Sequence, residues 1–111
     1  MSGITTHVLD TSLGRPAPAL PIWLEHKGPG GWAKVGEGVT DADGRLRTLT
    51  GARIDAGEYR LHFDTGSYFT ALGVKGFYPE AVIHFLVRDP TEHFHVPLLL
   101  SPWSFSTYRG S

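Results

Sequence analysis

Cysteine is absent from this chain, which removes any disulfide framework and any thiolate ligand or nucleophile. That suits a reducing compartment, and the cytoplasm is the expected location. Long apolar runs are missing too: Val96-Pro97-Leu98-Leu99-Leu100 falls far short of a membrane span. The opening residues, MSGITTHVLD, lack the basic leader and apolar stretch of a secretory signal. The last residues are not the Ser-Lys-Leu peroxisomal address. Neither sign of charge dominates, with 10 Lys and Arg against 11 Asp and Glu and a formal net charge of −1. The charges are interspersed, which excludes a basic nucleic-acid footprint and a charged interaction tail. At 111 residues, the expectation is one soluble domain spanning residues 1–111, large enough for a single core.

What the chain has in quantity is punctuation. Its 14 glycines and 8 prolines recur too often for long helices. Between them lie short alternating segments. In GEYRLHFDT, Tyr59, Leu61 and Phe63 alternate with Arg60, His62 and Asp64, the pattern of a half-buried strand. EAVIHFLV is apolar on both faces, as a strand central to a sandwich would be. LPIWLEHK and GWAKVGEGVT read as strands around the turn GPGG, and TDADGRL carries Asp-Gly turn chemistry. THVLDT reads as the first strand, while HFHVPLLLSP and SFSTYR read as two strands split at Ser101-Pro102. The one helical candidate is TGSYFTALG, with Thr65 and Gly73 as its caps. The fold class expected is all-β: two sheets in a sandwich with one short helix.

Six histidines in so small a domain are an anomaly, because imidazole changes charge near neutrality. In EHFHVP, His93 and His95 share one face of a strand and Phe94, Val96 and Leu98 the other. If the apolar set faces the core, the histidines face outward. Pro97 cannot donate to a ladder, so an edge or bulge is expected there. Three readings of the pair stand: a site acting on water or ligand, two surface histidines, or a metal site completed by His7, His62 or His84. His7 and Arg45, the latter straight after the Asp-Gly turn, are each ordinary in isolation. An inward-pointing Arg45 would suit a carbonyl or anionic oxygen. The closing Tyr108-Arg109-Gly110-Ser111 is by default a frayed end.

Other constellations are weak. GPGG is followed by no Gly-Lys-Ser/Thr, and no Gly-x-Ser-x-Gly elbow is present. Asp41, Asp43 and Gly44 lack the remaining positions of a calcium loop. Each is turn chemistry.

Taken together, THVLDTSLGRPAPAL, TDADGR and HFHVPLLLSPWSFSTYRGS resemble the 5-hydroxyisourate hydrolases, transthyretin-related enzymes of urate breakdown. The resemblance runs in order from Ile4 to Ser111. Its most specific element is the terminal Tyr-Arg-Gly-Ser, which separates these enzymes from the hormone carrier transthyretin. Aromatic swaps at Phe94, Trp103 and Phe105 depart mildly from the family pattern. The resemblance implies a homotetramer with sites in channels between subunits, a small-molecule substrate, and no metal or organic cofactor. It implies catalytic roles for His7, Arg45, His95 and Ser111, and substrate contacts from His7, Arg45, Tyr108, Arg109 and Gly110. The implied reaction opens the six-membered ring of 5-hydroxyisourate at a cyclic amide C–N bond, giving 2-oxo-4-hydroxy-4-carboxy-5-ureidoimidazoline. The alternative is a transthyretin-type carrier of a small aromatic ligand.

Overall fold

A computed structural model describes residues 3–51 and 53–111. Its elements are β1 (Gly3–Asp10), β2 (Arg15–Pro16), β3 (Pro21–Gly28), β4 (Gly31–Val39), β5 (Arg45–Leu46), β6 (Gly57–Phe63), α1 (Thr65–Ala71), β7 (Ala81–Val87), β8 (His93–Leu100) and β9 (Phe105–Thr107). One sheet runs β2-β1-β8-β9 with β5 also on β1, and the other runs β4-β3-β6-β7. The all-β two-sheet fold read from the alternation is the one observed.

The core lies between the sheets. Ile4 and Val8 of β1 and Phe94, Val96, Leu98 and Leu100 of β8 meet Ile22, Leu24, Tyr59, Leu61 and Phe63 from the other sheet. Alternation therefore turns Thr5, His7, His93 and His95 to the outer face of the first sheet. β1 and β8 pair in parallel with Thr5 opposite His95 and His7 opposite Pro97, so these outward side chains are neighbours.

Three details differ from the sequence expectations. β7, expected to be central, is an edge strand. Its inner Ile83 and Phe85 pack on the core, while Val82 and Leu86 are exposed at 39% and 44%. An edge strand with an apolar outer face has the same sequence pattern as a central one. The helix is capped by Asp64, whose side chain accepts from Ser67 N, and not by Thr65, which is buried and donates to the Tyr78 carbonyl. Gly73 closes it as expected, its N–H reaching Thr70 O and the Val74 N–H reaching Phe69 O. Finally, Pro97 lies inside a central strand, at neither an edge nor a bulge. The β8–β9 ladder stops at Leu98–Thr107 and resumes in the same register at His95–Gly110, so the missing N–H falls in the gap. Thr107 Oγ1 donates to the Pro97 carbonyl at 2.7 Å across that gap.

Asp10 ties this outer sheet to α1. Burial would raise its carboxyl pKa. Hydrogen bonds from the Ser12 hydroxyl, the Tyr68 hydroxyl at 2.7 Å and the Leu13 and Ser12 amides outweigh it and hold the group below its ordinary value.

Candidate active site

A cleft of about 490 Å³ opens on the outer face of the first sheet, lined by Thr5, Thr6, Arg45, Arg47, His93, His95, Tyr108, Gly110 and Ser111. Three local devices build it.

The first is the Asp41–Arg45 turn. Asp41 Oδ1 accepts from the amides of Asp43 and Arg45, each at 2.9 Å, which closes the loop. Gly44 adopts φ +75°, and a Cβ there would sit 2.4 Å from the Val8 carbonyl oxygen, so only glycine fits. The turn sets Arg45 directly opposite His7 across β5 and β1. His7 is fixed from the same turn by its Nε2, 2.9 Å from the Asp43 carbonyl.

The second is the histidine pair. The Thr5 hydroxyl lies 3.0 Å from His93 Nε2 and 2.8 Å from His95 Nδ1, linking the two rings through one oxygen. Burial lowers the pKa of His95 from its ordinary 6.5, and His7, Arg45 and His93 nearby lower it further. The ring is therefore held neutral to lower pH than a free histidine.

The third is the tail, which is not frayed. Gly110 N donates to His95 O at 2.8 Å. A Cβ on Gly110 would come within 2.8 Å of His95 Cδ2 and 3.3 Å of Pro97 Cγ, so a side chain here would push the tail off the cleft. Strand alternation continues through the gap and places Tyr108 and Gly110 on the histidine face.

The same alternation sends Arg109 the other way. Its guanidinium sits 4.5 Å over the Phe94 ring and donates to Glu92 Oε1 at 2.9 Å and to the His93 carbonyl at 3.2 Å. Arg109 thus lines a neighbouring hollow with Leu86 and Phe94, outside the cleft that holds Arg45, His95, Tyr108, Gly110 and Ser111. His7 stands beside the cleft through its pairing with Arg45.

The other three histidines belong to the second sheet. His62 Nε2 is 2.6 Å from Glu25 Oε1, His84 Nε2 is 2.8 Å from Glu58 Oε1, and His26 bonds the Ala56 carbonyl. Neither His62 nor His84 can complete a ligand set with His93 and His95. Among the described residues no group of three or more His, Cys, Asp or Glu side chains is placed to hold a metal ion. The sequence reading left out Thr5, Thr6 and Arg47. Thr5 was detectable in principle, since it stands two residues before His7 and so shares its face.

The family model for the HIUase/transthyretin family matches residues 4–110. The chain belongs to that family. It is 43% identical over 109 residues to a 5-hydroxyisourate hydrolase of Salmonella dublin, covering 97% of this chain and 80% of that one. The structure superposes on Klebsiella pneumoniae 5-hydroxyisourate hydrolase with a TM-score of 0.88 at 38% identity, covering 100% and 94% of the two chains. Sea bream transthyretin, solved in complex with thyroxine, superposes with a TM-score of 0.90 at 34% identity, covering 96% and 93%. The HIUase/transthyretin fold alone therefore does not separate enzyme from carrier. The side chains on the outer sheet face must do so.

Proposed function

We propose that this chain is a hydrolase that opens 5-hydroxyisourate at a cyclic amide C–N bond. The observation that carries the reading is the convergence of Arg45, His95, Tyr108, Gly110 and Ser111 on one cleft, with His7 beside it across from Arg45. An apolar carrier channel has no use for two imidazoles and two guanidiniums on its wall. The similarity to 5-hydroxyisourate hydrolases supports the same conclusion.

Water is a weak nucleophile at neutral pH, and the His7/His95 pair supplies the base that takes its proton as oxygen attacks the carbonyl carbon. The same proton is then available to the departing ring nitrogen, and the product carries a carboxylate. Arg45 binds the carbonyl oxygen and stabilises the charge that develops on it. Tyr108, Gly110 and Ser111 close the cleft around substrate and water. Arg109 acts as the anchor of that tail, through Glu92 and Phe94.

The working form is a homotetramer with the cleft at a subunit interface, in the cytoplasm. Edge strand β7 supports assembly, because its outer ladder is unpaired and Val82 and Leu86 leave its outer face apolar and exposed. The lack of cysteine is in keeping with the location.

Crystals soaked in urate, a stable ring-closed relative of the substrate, test the site. Urate is expected in the cleft with a carbonyl oxygen on Arg45. Urate seated instead in the groove of Trp23, Glu25 and Lys34 on the second sheet would move the site and overturn the reading.

A further inference from the structure

His93 shares a face with His95 and lines the same cleft. Its Nε2 meets the Thr5 hydroxyl, while its Nδ1 is buried with no partner among the described residues. The Thr5 hydroxyl has one hydrogen and two imidazole partners, so it donates to one ring and accepts from the other. Two neutral arrangements satisfy it. In one, His95 Nδ1–H donates to Thr5 and Thr5 donates to His93 Nε2, which forces the His93 proton onto Nδ1. That would strand an N–H donor in the interior, and orphaned buried N–H groups are rare because nothing offsets their desolvation. In the other, His93 Nε2–H donates to Thr5 and Thr5 donates to His95 Nδ1. His93 Nδ1 is then a bare acceptor, and His95 carries its proton on Nε2.

We propose that His93 is a positioning residue: acting through the Thr5 hydroxyl, it holds His95 with its proton on Nε2, so that His95 offers the cleft a donor and not a base. His7 is set the opposite way. A backbone carbonyl can only accept, so His7 Nε2 donates its proton to the Asp43 carbonyl, and Nδ1 is left with the lone pair. The two imidazoles therefore have different tasks, a deduction that rests on the hydrolase reading. His7 Nδ1 takes a proton from water as the oxygen–carbon bond forms, and returns it to the ring nitrogen as the carbon–nitrogen bond breaks. His95 Nε2–H, beside Arg45, donates to the carbonyl oxygen as charge builds on it. The groups facing His95 are Thr5 and His7 on β1, Arg45 on β5 and Arg47 just after it, His93 on its own strand, and Tyr108 and Ser111 on the tail. Thr5 is the one that contacts its Nδ1.

The test is a two-bond proton–nitrogen correlation spectrum of the full-length ¹⁵N-labelled protein, above pH 6.5 where His95 is neutral. It reads which ring nitrogen bears the proton. The wild type is expected to show His95 protonated at Nε2 and His7 with Nδ1 bare. In His93→Phe the Thr5 hydroxyl loses its donor and the His95 proton is expected to divide between the two nitrogens. Turnover should fall roughly 10-fold with KM within about 2-fold, since a donor to the developing oxyanion is weakened and not removed. Thr5→Val breaks the same bridge with an isosteric side chain and should act alike if the phenylalanine variant folds poorly. His95 protonated at Nδ1 in the wild type overturns the proposal, as does an unchanged His95 tautomer in both variants. A lost tautomer with unchanged kcat overturns the part played in catalysis. A wild type that does not turn over substrate retires the hydrolase reading separately, because the spectrum requires no activity.

Discussion

His95→Ala is expected to lower kcat by roughly 10²-fold or more, with the fold intact. His95 is bound to both halves of the site, through Thr5 on β1 and through Gly110 of the tail. Removing either a general base or a donor to a developing oxyanion costs on this order. Turnover near that of the wild type would take His95 out of the mechanism. The substitution has a second consequence, in stability against pH. The folded-state pKa of His95 lies below its ordinary 6.5, because burial and the neighbouring cations disfavour the charged ring. On acidification the unfolded chain therefore binds the proton first, and the wild type loses stability as pH falls through 6.5 and below. The alanine variant lacks that group, so its stability is expected to fall less steeply over the same window in chemical denaturation. An equal slope would show that His95 carries no depressed pKa.

Deleting Arg109 to Ser111 is expected to reduce kcat/KM by roughly 10²-fold while leaving the sandwich folded, because the tail walls the cleft and orients what binds there. The prediction separates catalysis from stability on structural grounds. These residues follow β9, make one backbone bond into the sheet at Gly110, and are not part of the buried core, which Arg109 meets from outside over the Phe94 ring. Thermal unfolding close to that of the full chain, together with the loss of rate, is the expected pair of results. A folded, fully active truncation would make the tail an ordinary end. Gly110→Ala probes the same contact more finely, since its Cβ would press on His95 Cδ2 and Pro97 Cγ.

Alternation made much of this legible in the sequence. The outward placement of His93 and His95 follows from the buried Phe94, Val96 and Leu98 between and beyond them. The Asp-Gly turn ahead of Arg45 sets that residue opposite His7. Arg109 could have been placed by the same rule, since it alternates with Tyr108 and Gly110. It was grouped with them because they form one motif, and the pleat divides that motif. The position of β7 was not legible: a strand that is apolar on both faces can be central, or can be an edge with an uncovered outer face. Pro97 escaped a simple rule because its missing N–H points at a gap in one ladder while its other neighbour, β1, stays paired. Thr5 was hidden by its ordinariness, since a threonine in a strand signals nothing until two imidazoles are seen on either side of its hydroxyl.

The hydrolase conclusion is tested most directly by the ultraviolet decay of 5-hydroxyisourate, freshly generated from urate, with chelator-treated protein at a small molar fraction of the substrate. A carrier can sequester at most its own amount, whereas a hydrolase consumes the whole pool. The expected result is complete decay well above the spontaneous rate, unaffected by the chelator. Decay at the spontaneous rate in the presence of folded protein would contradict the account.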